Sequence, residues 1–78
     1  MAGVELVRMT YDSAANAAMI YLADRIGPGE AVRQQAVPLS GAEMVLDFDA
    51  DGVLLGIEVI GARGTISAEV LDAAEQIG

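Results

Sequence analysis

Met44-Val-Leu-Asp-Phe-Asp-Ala-Asp-Gly-Val-Leu-Leu-Gly-Ile-Glu-Val-Ile60 is the stretch whose reading decides the fold. Apolar residues alternate on both sides of Asp49-Ala50-Asp51-Gly52, the period of a strand with two distinct faces. The segment therefore reads as a β-hairpin at the centre of a small antiparallel sheet. Met44, Leu46 and Phe48 share one face, and a loop of either two or four residues brings that face beside Val53, Leu55, Ile57 and Val59, because both registers have the same parity. Gly52 suits the positive φ of such a turn, and aspartates gather there because their carboxylates bond nearby backbone amides.

The same residues carry a second pattern. Asp47-x-Asp49-x-Asp51-Gly52, then five residues and Glu58, matches the calcium loop of an EF-hand at its acidic positions and its glycine. A hard cation favours such oxygen ligands, so Asp47, Asp49 and Asp51 are the candidate metal residues. The flanks oppose a true EF-hand, which needs a helix on each side. Here the chain arrives through Pro38, Ser40 and Gly41 and leaves through β-type residues to Gly61. At strand rise Glu58 lies roughly 15–20 Å from the turn, too far to close the loop as a bidentate ligand. The expectation is a solvated acidic turn, with weak calcium binding as the alternative.

Outward from the hairpin, Val4 to Asp12 alternates as a first strand, Asp12 to Asn16 is a turn, and Ala17 to Ala23 is a second strand with two largely apolar faces. Arg25 to Glu30 is a loop by its glycines and proline, and Gly27-x-Gly29 has no basic residue or following helix to make it a phosphate loop. Ala31 to Val37 is a third, more polar strand, and Pro38 suits an edge or a strand end. Ser67 is an N-cap, with Ile66 and Leu71 at the staple positions and Glu69 in the first turn. Ile66, Val70, Leu71, Ala74 and Ile77 recur at helical spacing, predicting about ten residues of helix. The predicted fold is thus α+β: a meander-like antiparallel sheet of about five strands and one C-terminal helix, forming a single domain over residues 1–78.

Composition narrows the function. Twelve acidic residues against four arginines and no lysine give a net charge of −8, which repels phosphate and argues against nucleic acid as a partner. No cysteine or histidine is present for a disulfide or a zinc site. No apolar run reaches the roughly 20 residues of a membrane helix, and the N-terminus has no signal-peptide pattern, so a soluble, cytoplasmic protein without a membrane partner is expected. A chain this short is marginal as a monomer. One helix covers one sheet face only in part, which points to a partner, most simply a second copy in a homodimer.

Tyr11-Asp-Ser-Ala-Ala-Asn-Ala-Ala-Met-Ile-Tyr-Leu22, followed by Leu46-Asp-Phe-Asp-Ala-Asp-Gly-Val-Leu-Leu-Gly-Ile-Glu-Val-Ile60, resembles the small prokaryotic YuzE-like family of unknown function. The resemblance covers about Val7 to Ala62, and its second block is the more specific. Ala14 and Asn16 stand where acidic residues are usual in that family, and Ala18 where a larger apolar residue is usual, which weakens any carboxylate site at the first turn. The resemblance implies a compact sheet. In some genomes such genes neighbour small ribonuclease-toxin-like genes, which suggests an antitoxin-like role against a basic protein.

Asp47 and Glu58 fall on the face opposite Leu46 with Gly56 between them, so a carboxylate pair for acid/base work or cation binding is conceivable, against a solvated edge or dimer seam pairing with Arg8 or Arg33. Without histidine, cysteine or lysine the usual nucleophiles and near-neutral bases are missing, so no enzyme and no cofactor is expected. The functional expectation is a small acidic, self-associating interaction domain, with cation binding at Asp47, Asp49 and Asp51 as the alternative.

Overall fold

The computed structural model describes residues 7–78. Strands β1 (Arg8–Asp12), β2 (Ala17–Tyr21), β3 (Arg33–Leu39), β4 (Ala42–Phe48) and β5 (Leu54–Ile60) are followed by a 3-10 turn (Ala62–Gly64), helix α1 (Ala68–Ala73) and a two-residue strand β6 (Glu75–Gln76). One mixed sheet contains all six strands in the order β3-β4-β5-β2-β1-β6. The expectation of about five antiparallel strands in a meander is corrected on two points. β6 pairs parallel to β1, and the chain leaves β2 for the far edge before β5 returns beside β2. The physical reason is that both faces of β2 are apolar, so it takes a central place with a strand on each side. The residues of the predicted first strand before Val7 lie outside the described part of the chain.

The central hairpin forms as its alternation predicts, with Met44 opposite Val59 and Leu46 opposite Ile57. A register shift between Asp47 and Phe48 then pairs Phe48 with Leu54, so the loop fits neither the two-residue nor the four-residue form. Gly52 occupies the expected left-handed conformation with φ 82°. Pro38 lies on the edge strand β3, where a missing donor is tolerated.

Ser67 caps α1 as expected, its hydroxyl accepting a bond from the Val70 amide at 3.4 Å. The helix is six residues long, not about ten, because the chain turns at Ala74 to pair Glu75 and Gln76 with β1. Gln76 secures that exit by donating to the Leu71 and Ala74 carbonyls at 2.9 and 2.8 Å. The cap bond is long, so Ser67→Ala should cost about 0.5–1 kcal/mol, at the weak end for caps, measured as a shift of the urea midpoint.

Buried Tyr11, Ala18, Val59, Ala62 and Leu71 form the core between the sheet and the C-terminal segment, with Ile66 and Ala74 packed against them. Asn16, with φ 56°, ties the end of the sheet to this segment. Its carbonyl accepts from the Gly61 and Ala62 amides, each at 3.0 Å, and its side-chain oxygen accepts from the Arg63 amide at 2.8 Å. Arg63 in turn donates to the Tyr11 hydroxyl at 3.2 Å and the Ser13 carbonyl at 3.0 Å. Asn16 thus serves as a left-handed turn residue and a backbone tie.

Candidate functional site

Cross-strand register sorts every strand residue onto one of two faces. Met9, Tyr11, Ala18, Ile20, Met44, Leu46, Ile57 and Val59 share the face beneath the helix. The opposite face carries Thr10 and Asp12 from β1, Met19 and Tyr21 from β2, Asp47 from β4, and Gly56 and Glu58 from β5. A cavity of about 370 Å³ opens on this second face. Its lining includes Thr10, Asp12, Met19, Tyr21, Asp47 and Glu58. Ile26 enters from the β2–β3 loop and Ile77 from the segment after β6. The stripe reading of Ile77 is thereby corrected: once the helix stops at Ala73, this side chain reaches the cavity and not the helix stripe.

Gly56 makes room for the wall on the Ile26 side. A methyl group at this position would stand 3.1 Å from Ile26 Cδ1, 2.8 Å from Met19 Cε and 2.9 Å from the Ile20 carbonyl, so the close fit around this position relies on glycine.

Asp47 is buried, at 5% exposure. Its Oδ1 accepts a hydrogen bond from the Gln34 side-chain Nε2 at 2.7 Å, and it has no ion-pair partner among the described residues. Thr10 beside the cavity is equally buried, at 4%. Asp12 directs Oδ1 back to the Ala15 amide at 3.0 Å, which closes the β1–β2 turn. No basic side chain lines the cavity. Arg8, on the same face, lies over the Tyr21 ring at 4.3 Å and pairs with Glu75 at 3.3 Å. Arg33 lies over the Phe48 ring at 4.2 Å. Neither of the arginines considered as partners for Asp47 and Glu58 therefore pairs with them.

Asp47 and Glu58 do share the cavity, as their common parity predicts. They are diagonal neighbours on adjacent strands, a relation that sets side chains roughly 7–8 Å apart.

The three aspartates of the calcium-like pattern divide their work. Asp47 lies in the sheet and faces the cavity. Asp49 closes the turn, its Oδ1 accepting from the Asp51 and Val53 amides, both at 2.9 Å. Asp51 is exposed at the tip. Among the described residues no group of three or more acidic side chains is gathered as a metal cage.

Fold and cavity together define a small α+β domain: one mixed sheet, helix-covered at one end of one face and bearing a carboxylate-lined cavity on the other. The chain belongs to the family described as protein of unknown function (DUF2283), whose model matches residues 8–63. That match agrees with the expectation of a small uncharacterised family, although its description does not carry the YuzE name. It spans β1 to the 3-10 turn and so includes every strand residue of the cavity, leaving α1, β6 and Ile77 beyond it. No curated protein and no solved structure matches the chain. No helix among the described residues is long and apolar enough to cross a membrane.

Proposed function

We propose that this domain is a protein-interaction module that takes a basic side chain of its partner into the cavity, with Asp47 and Glu58 receiving the cationic head. The observation that carries this reading is Asp47, a carboxylate at 5% exposure whose hydrogen bond comes from the neutral side-chain amide of Gln34 and whose cavity is lined by no basic side chain. Buried carboxylates are ordinarily matched by a positive charge or by a full set of hydrogen bonds, and a guanidinium or ammonium group supplies both. Met19, Ile26, Ala17 and Ile77 offer apolar walls for the aliphatic stem of arginine or lysine. The spacing of the carboxylates favours an extended organic cation over a metal ion, which requires its ligands around one point. A net charge of −8 steers a basic partner toward the domain. An antitoxin-like pairing with a basic protein is the form of this reading that the YuzE-like resemblance motivates.

The test is titration of the domain with a short arginine-containing peptide, followed through backbone amide resonances. Saturable shifts are expected at Thr10, Met19 and Gly56, and Asp47→Asn should weaken binding about tenfold or more, in line with loss of one charge-assisted hydrogen bond. Equal binding by Asp47→Asn, or shifts spread evenly over all acidic residues, overturns the reading. Calcium titrated in place of the peptide tests the alternative, which requires saturable shifts centred on Asp49 to Gly52.

A further inference from the structure

We propose that two copies of this chain associate through the helix-side face of the sheet, leaving the acidic cavities facing outward. The first argument is the distribution of charge. Asp12, Glu43, Asp47, Glu58 and Glu75 are the strand carboxylates of the described residues, and register places all of them on the cavity face. On the helix side the strands carry no carboxylate, and their one charge, Arg33, is laid over the Phe48 ring. For a chain of net charge −8, this is the face whose strands set no carboxylate against a second copy, the acidic residues on its side being Glu69 and Asp72 of α1.

The second argument is apolar content. Helix α1 is short and covers the end of the face at Tyr11, Ala18 and Val59. Beyond it Ile20, Ile57 and Leu46 form a continuous row across β2, β5 and β4, and Val37 continues the surface onto β3 beside Met44. All of these side chains are only part-buried. Four strands at about 4.8 Å spacing and roughly 20 Å of strand length make a patch of about 300–400 Å². That is about the size of the largest apolar patch on a typical monomer, which is often functional, and smaller than the roughly 800 Å² per partner of a standard stable complex. The dimer should therefore be reversible, dissociating on dilution.

The third argument concerns the sheet edges. Pro38 interrupts β3 at one edge, and β6 has two residues at the other. Both features oppose edge-to-edge pairing.

Light scattering over a dilution series at low and high salt tests this proposal. The expected result is a dimer at high protein concentration whose dissociation constant tightens with salt, because screening removes the repulsion between two acidic bodies while the apolar contact remains. Leu46→Glu should weaken association at least tenfold, whereas Ala36→Glu, on the opposite face of β3, should leave it unchanged. If circular dichroism shows Leu46→Glu to be unfolded, Val37→Glu at the edge of the same patch takes its place. A monomer throughout the series overturns the proposal and opens this face to a different protein. So does a dimer that is lost in Ala36→Glu and kept in the helix-side variants.

Discussion

Leu71→Ala is expected to lower the free energy of unfolding by about 3 kcal/mol, within the usual range for truncating a buried leucine. Leu71 is the one buried residue of α1 and touches the core formed by Tyr11, Ala18, Val59 and Ala62. A domain of this length has a total stability of about 4–12 kcal/mol, so the loss is a large fraction of the whole. The core contains few large side chains, since two of its five buried members are alanines. Neighbours therefore have little bulk with which to refill the space. Urea unfolding followed by circular dichroism measures the effect. A loss below about 1 kcal/mol would show that the C-terminal segment is not an integral part of the fold.

Gly56→Ala is expected to cost about 2 kcal/mol by overpacking. The added methyl group would meet Met19 Cε at 2.8 Å and Ile26 Cδ1 at 3.1 Å, both flexible ends that can move aside. The Ile20 carbonyl at 2.9 Å cannot, because β2 is held by β1 on one side and β5 on the other. The backbone contact makes this substitution more damaging than its size suggests. The same change should displace Ile26 from the cavity wall, read as large amide shifts through the β2–β3 loop. A variant of unchanged midpoint would mean that β5 can shift away from β2 without cost.

Which parts of this molecule were legible in its sequence follows from the range of the forces involved. Alternation at Met44, Leu46, Ile57 and Val59 reports a local period, and the observed register agrees with it. Ser67 identified the helix start because capping is settled within one turn. The helix end was misplaced because Ala74 and Ile77 continue the helical spacing, while pairing with β1 is a competing long-range contact. Spacing groups Asp47, Asp49 and Asp51, but the strand ends at Phe48 after a register shift, so Asp47 keeps to the sheet while Asp49 bonds the backbone of its own turn. Parity did place Asp47 with Glu58, whereas Thr10, Asp12 and Ile77 carry no signal of joining them.

By itself, then, the sequence determined five of the six strands, the hairpin, the helix cap and the acidic character of the chain, because periodicity, turn chemistry and charge are properties of neighbouring residues. Only the tertiary structure decided the strand order, the segregation of strand carboxylates onto one face and the cavity around Asp47. Those depend on pairings between residues distant in the chain, such as Met19 with Glu58 and Gln34 with Asp47, and on the close packing of Met19 and Ile26 against Gly56.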